Sequence, residues 1–263
     1  MYPYKVILGM NLYDIFLAIG AISALVIARI FADKDKISAK LFNFILLTGS
    51  SAIGLGYFSA VFTQAIYNWL DGEPFEINNS TGATFLGGLV GGVLTFLVIY
   101  FIVGHFLFRK KDNIKYFPRL LDFASVAITC AHGFGRLGCL MAGCCHGRVT
   151  DAWYGIYHIN LDATVVPVQL FESLFLFALC AILAVLAIKK IPGTMAIYMF
   201  TYGVWRIFAE TLRDDYRGST FVDFLTPSQL TSIVLIVLSV PVFLFTLYIH
   251  KKNKSAKESG SEE

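Results

Sequence analysis

Charge is what this sequence has least of. Only 15% of its 263 residues are Asp, Glu, Lys or Arg, against about 25% in an ordinary soluble domain. A soluble core of this length would need polar residues on the outward faces of its helices, and the apolar blocks here lack them. Five cysteines make no evident disulfide framework. Cys130 and Cys180 lie in apolar runs and read as small hydrophobes. The opening M-Y-P-Y-K-V-I-L-G-M has too short an apolar run for a cleavable signal, and no A-x-A-like site follows it. No repeat period and no second domain are visible. A net charge of +3 gives no argument for a nucleic-acid partner, and none is expected.

What is present in quantity is hydrocarbon: 57% of the residues are hydrophobic and the mean hydropathy is +0.68. The apolar residues come in blocks of about twenty, enough to cross ~30 Å of bilayer core. Seven spans are expected, near 13–31, 41–67, 84–108, 118–138, 168–188, 194–212 and 227–249. The fold class is therefore all-α: a polytopic membrane protein of one domain over 1–250, followed by a polar, disordered tail over 251–263. The second span is interrupted by small residues between Gly49 and Gly56, which predicts a tilt or kink. Pro241 predicts a bend in the last.

Basic residues sort by side. Alternating the spans puts fifteen of the 21 Lys and Arg residues on one face. Lys and Arg concentrate on the cytoplasmic side, so the N-terminus is expected outside and the C-terminus in the cytoplasm. The poorer, outer side holds Arg136, Arg148, Arg206, Arg213 and Arg217 with Lys5. Arginines near span ends on that side ask for a reason.

The densest polar stretch is A-H-G-F-G-R-L-G-C-L-M-A-G-C-C-H-G, from Ala131 to Gly147. Arginine at the bilayer centre costs roughly 2.5–3.5 kcal/mol even on insertion scales, so something should compensate Arg136, and a bound anion is the first candidate. A guanidinium grips phosphate through a planar fork. Snorkelling to the interface, or pairing with a carboxylate, remains the alternative. Tyr202, Arg206, Glu210 and Arg213 recur at helical spacing and make one polar stripe on an apolar span. Such a stripe faces protein or a water-filled cavity, although Arg206 and Glu210 could simply neutralise each other. Gln169 and Glu172 sit at the start of the fifth span, where either could cap the helix or orient an arginine across a cavity. Cys139, Cys144, Cys145 and His146 have zinc-binding types, but C-x4-C-C-H lacks the usual zinc spacing. A disulfide from Cys139 is the second option and small-residue packing the expected one; no metal is expected. Gly87 and Gly88, with Gly91 and Gly92, place glycines four apart at the start of the third span, a face for close packing or for an acyl chain.

Taken together, these motifs resemble the prolipoprotein diacylglyceryl transferases of bacterial membranes over roughly Tyr13 to Ile233. The family's arginine loop is similar to G-R-L-G-x-x-x-x-G, Gly135 to Gly143. Its H-P-x-Q-L-Y-E segment resembles V-P-V-Q-L-F-E, Val166 to Glu172. Its Y-G-x-x-R-x-x-x-E-x-x-R segment is Tyr202 through Arg213, and T-P-S-Q-L-T-S, Thr226 to Ser232, resembles the start of its last helix. The resemblance implies seven spans and transfer of the diacylglyceryl group of phosphatidylglycerol to the lipobox cysteine of a preprolipoprotein, releasing glycerol phosphate. It implies no cofactor. By resemblance Arg136 and Arg206 hold the donor phosphate, Tyr202 and Glu210 line the same cavity, and Tyr13 matches a tyrosine near the start of the first helix. Gly87, Gly88, His132, Gly135, Gly138, Gly143, Gln169, Glu172 and Arg213 complete the expected substrate site.

Three positions depart from the family. Leu86 stands where a histidine precedes the paired glycines, Cys139 where asparagine follows G-R-x-G, and Cys144 where the family is acidic. His132 and His146 are the residues that could take over the lost histidine's work. The departures keep two alternatives open. One is a paralogue that passes diacylglyceryl or glycerophosphate to another outer-face acceptor such as a glycan. The other is a non-catalytic binder of anionic lipid.

Overall fold

The computed structural model describes residues 4–7, 9–78, 80–108, 111–213 and 224–259. Arg109, Lys110 and Arg217, which entered the charge count, lie outside the described residues. The long elements are all helical, as the apolar blocks require. They are α1 (Leu12–Lys34), α2 (Ala39–Leu70), α3 (Phe85–Val98), α5 (Asp112–Ala142), α6 (Val168–Ile188), α7 (Thr194–Glu210) and α8 (Pro227–Ser259). A π-helical turn, Ile99–Val103, joins α3 to the short α4 (Gly104–Leu107). The three form one apolar span, Phe85–Leu107. Among the described residues, six helices are long and apolar enough to cross a membrane. The remaining one, α7, has 17 residues and carries the polar stripe.

The chain falls into two compact units, one of Ala32–Phe117 and one of Met1–Phe31 with Pro118–Glu263. In the first, Ser38 caps α2 by accepting the Leu41 N–H at 3.3 Å. The small residues expected to kink α2 leave it as one helix of 32 residues. Gly56 among them serves contact. A Cβ on Gly56 would lie 3.1 Å from both the Gly88 carbonyl oxygen and the Gly92 Cα, so the two backbones touch where side chains would keep them apart. Ser59 Oγ donates to the Gly87 carbonyl at 2.9 Å across the same seam. The π-turn is supported by Asn113. Its Nδ2 donates to the Tyr100 carbonyl at 3.1 Å, and the Tyr100 hydroxyl returns a 2.7 Å bond to the Asn113 carbonyl.

The other unit holds the sequence motifs. A short hairpin, β1 (Lys5–Ile7) with β2 (Met10–Asn11), leads into α1. Asn11 and Asp14 exchange side-chain-to-backbone bonds at the helix start, at 3.0 and 3.2 Å. Thr226 and Gln229 do the same at the start of α8, at 3.2 and 3.0 Å. Pro227 occupies the first helical position, where its missing N–H costs nothing. The T-P-S-Q motif therefore has a local role in starting a helix. α5 meets α6 where Ser173 Oγ donates to the Gly133 carbonyl at 3.0 Å. α6 meets α7 where Phe175 stacks on Trp205 at 4.4 Å. α8 continues to Ser259 rather than ending at the apolar boundary. Nothing in K-K-N-K-S-A-K-E-S breaks a helix before Gly260, which corrects the disordered tail expected over 251–259.

Between α5 and α6 lies a structured connection that hydrophobic periodicity did not announce. β3 (Ile156–His158) pairs antiparallel with β4 (Ala163–Val165). Ahead of it, the Gly147 N–H donates to the Val166 carbonyl at 2.8 Å, Val166 to Arg148 at 3.0 Å, and Arg148 to the Leu212 carbonyl at 3.1 Å. A Cβ on Gly147 would come within 2.7 Å of that Leu212 oxygen and 2.8 Å of the Val166 and Val168 side chains. Only glycine fits there. Val166, Val168 and Ala209 form a buried cluster beside it.

Candidate active site

α6 carries Glu172 one turn past its start, with its side chain fully buried. A lone buried carboxylate would cost several kcal/mol, and this one has three partners. Its Oε2 lies 3.1 Å from Arg136 Nε on α5 and 3.7 Å from Arg206 Nη1 on α7. Its Oε1 accepts from the Tyr202 hydroxyl at 2.9 Å. Arg206 Nη2 reaches Glu210 Oε2 at 3.1 Å, one turn along α7, and donates to Ser228 Oγ at 2.9 Å at the start of α8. Two guanidiniums and two carboxylates thus balance in charge. Glu172 compensates Arg136, and Arg206 pairs with Glu210 as the stripe allowed.

His132, one turn before Arg136, extends the network. Its Nδ1 lies 3.3 Å from the Tyr198 hydroxyl and its Nε2 3.5 Å from that of Tyr202. Tyr202 has one hydroxyl hydrogen and gives it to Glu172, so toward His132 it can only accept. The neutral ring that satisfies every partner carries its proton on Nε2 and accepts from Tyr198 at Nδ1. The bonds then run in one direction, from Tyr198 through His132 and Tyr202 to Glu172.

Of the residues singled out from sequence, Arg136, His132, Glu172, Tyr202, Arg206 and Glu210 come together. Gln169 joins from the side, donating from Nε2 to the Cys144 carbonyl at 2.5 Å. Tyr13 packs on Gly138, where a Cβ would meet its ring at 3.1 Å. Gly135 faces Leu17. Gly143 ends α5 with φ of 72°, its carbonyl bonded to His158 Nε2 at 2.6 Å. Arg213 follows the end of α7, its N–H on the Glu210 carbonyl at 3.2 Å. Gly87 and Gly88 lie in the other unit, in the α2–α3 seam. Tyr198 and Ser228 were missed. Tyr198 sits four residues before Tyr202 and lengthens the stripe by one turn, a signal that was there to read.

Around the C-terminal end of α5, the sulfur atoms of Cys139, Cys144 and Cys145 lie within 4.8 Å of one another. All three are in the thiol form. At Cys144 the bond with the Cys139 thiol lowers the pKa, but the Cys145 thiol and burial outweigh it, and the net shift is upward.

The chain is similar to known proteins. The sequence profile described as prolipoprotein diacylglyceryl transferase matches residues 4–245. The chain belongs to the prolipoprotein diacylglyceryl transferase family. It is 33% identical over 232 residues to the phosphatidylglycerol–prolipoprotein diacylglyceryl transferase 2 of Clostridium perfringens, covering 85% of this chain and 83% of that one. It is 30% identical over 185 residues to the corresponding transferase of Clostridium tetani, covering 68% and 70%. With that of Dehalococcoides mccartyi it shares 28% over 259 residues, covering 94% and 92%. Membership makes the chain a membrane transferase.

Proposed function

We propose that this transferase moves the diacylglyceryl group of phosphatidylglycerol onto the lipobox cysteine of a preprolipoprotein and releases glycerol phosphate, the substrate pair named for its relatives. The observation that carries the proposal is the meeting of Arg136 and Arg206, from α5 and α7, on one buried carboxylate. Each guanidinium has five N–H donors, and Glu172 engages Arg136 through Nε and Arg206 through Nη1. A phosphate between them takes over part of the charge that Glu172 now balances. When the C–O bond to phosphate breaks, negative charge grows on the leaving glycerol phosphate. Pre-placed guanidiniums in a water-poor site stabilise that charge without reorganising. Tyr202 and Glu210 hold Glu172 and Arg206 in register, and Tyr13 with Gly138 borders the site. In this reading the N-terminus is outside, the C-terminus is cytoplasmic, and the site opens toward the outer leaflet of a bacterial cell membrane.

The test uses purified protein, phosphatidylglycerol and a lipobox peptide, with mass spectrometry of the peptide. The expected product is a diacylglyceryl thioether with free glycerol phosphate. An unmodified peptide, with lipid turned over onto another acceptor, refutes the proposed acceptor. Lipid that binds without any turnover refutes the reaction.

A further inference from the structure

The three cysteines have no part in that reading, yet the fold assembles them with care. Cys139 projects from the last turn of α5. Gly143 at φ 72° and Cys145 at φ 64° then fold the chain back on it. The Cys144 N–H bonds the Cys139 carbonyl at 3.2 Å. The fold-back is pinned by groups distant in sequence: Gln169 holds the Cys144 carbonyl and His158 the Gly143 carbonyl. His158 also accepts the Leu161 N–H at Nδ1, at 3.2 Å. His146 is occupied elsewhere, its Nδ1 2.9 Å from the Gly147 carbonyl and its ring edge-on to His158. Cys144 is exposed, and Cys139 and Cys145 are half-buried. Three sulfurs therefore converge on a point that solvent can reach.

We infer that Cys139, Cys144 and Cys145 hold one zinc ion as a three-thiolate site, with a fourth position open to an incoming thiol. Tetrahedral zinc with sulfur at ~2.3 Å sets sulfurs about 3.8 Å apart, a small contraction from the separations here. Structural zinc is closed by four protein ligands, whereas reactive zinc keeps three and an open place. Among the described residues the group that converges has three members. Three thiolates with Zn2+ carry one negative charge. Arg136, three residues before Cys139, lies on the same helix face.

The open position answers a need of the reaction and so rests, in this part, on the transferase reading. The acceptor thiol must lose a proton. The bases of the arginine cluster are already engaged: Glu172 by two guanidiniums and Tyr202, Glu210 by Arg206, His132 between two tyrosines. A thiol that coordinates zinc is deprotonated outright. The acceptor binds as thiolate and its proton goes to water. A sulfur lone pair then forms the S–C bond to the glyceryl carbon while the C–O bond to phosphate breaks, and that electron pair leaves with glycerol phosphate. The product is a neutral thioether, a weaker ligand, and the fourth position reopens.

The experiment takes the full chain in detergent, stripped of metal under reducing conditions and given zinc alone. After desalting, one zinc per chain is expected by elemental mass spectrometry. X-ray absorption should show three sulfur ligands at ~2.3 Å, rising to four when a lipobox peptide is added. Cys139→Ser, Cys144→Ser and Cys145→Ser should each weaken zinc binding by about 100-fold or more, because even losing an outer partner of a ligand costs about 10–100-fold. Should a variant misfold, the wild-type chain still decides: zinc shields Cys144 from maleimide and a chelator restores labelling. Zinc retained by the triple serine variant, zinc absent from the wild type, or a Cys139 disulfide in protein from membranes overturns the inference. Peptide modified equally by zinc-free and zinc-loaded protein overturns the role in transfer and leaves the transferase reading standing. Zinc held at the three sulfurs with no peptide modified supports the site and overturns the transferase reading instead.

Discussion

Replacing Glu172 by glutamine tests the arginine pair most directly. The substitution keeps shape and removes one negative charge from the centre of the cluster. Oε2 of Glu172 lies 3.1 Å from Arg136 Nε and 3.7 Å from Arg206 Nη1. At an effective dielectric near 20 these separations amount to roughly 5 and roughly 4.5 kcal/mol of attraction. Desolvation of three buried ions offsets much of it, and breaking a buried pair typically costs about 3–5 kcal/mol net. For a chain of this size that corresponds to a fall in melting temperature of roughly 6–20 °C. Lipid should behave oppositely. Phosphatidylglycerol at a hundred times its Kd stabilises the wild type by about 2.7 kcal/mol through mass action. In Glu172→Gln the phosphate replaces the lost carboxylate between the guanidiniums, so the same lipid should recover most of the deficit as well. Melting followed by tryptophan fluorescence, in zwitterionic detergent with and without phosphatidylglycerol, measures both quantities. A larger lipid-induced rise in the variant is expected. Equal rises in the two proteins would refute a phosphate lodged between the arginines.

Arg136→Ala and Arg206→Ala should each lower turnover by about 10²–10³-fold or more, and lysine at either place should not restore it, because the planar fork is lost; full activity in an alanine variant would remove that arginine from the site. Tyr202→Phe takes a 2.9 Å bond from a buried carboxylate and should cost about 1.5–3 kcal/mol of stability, read as a lower melting temperature. Gly147→Ala drives a methyl group toward the Leu212 oxygen and the Val166 and Val168 side chains, and about 1–3 kcal/mol of destabilisation is expected, checked by the same melting curves.

The helices were readable because twenty apolar residues in a row leave few alternatives in a bilayer. The reading failed where residue type and local spacing say too little. Gly49 to Gly56 looks the same in a list whether it bends a helix or lets a neighbour approach, and only the position of α3 decides. The α5–α6 connection carries short strands without sustained alternation, so β3 and β4 gave no signal. In the arginine cluster, helical spacing found Tyr202, Arg206 and Glu210 on one face. It could not reveal that Glu172, on another helix, would serve both arginines at once. The thiol cluster was the hardest case. C-x4-C-C-H does not announce that its three sulfurs converge, because two left-handed residues, Gly143 and Cys145, fold the chain back on Cys139.

The three main-chain bonds from Gly147 and Arg148 to Val166 and Leu212 act like a drawstring. They tie the connection that follows α5, the approach to α6 and the exit of α7 together at their main chains. A shift of any one of these three segments must therefore carry the other two with it.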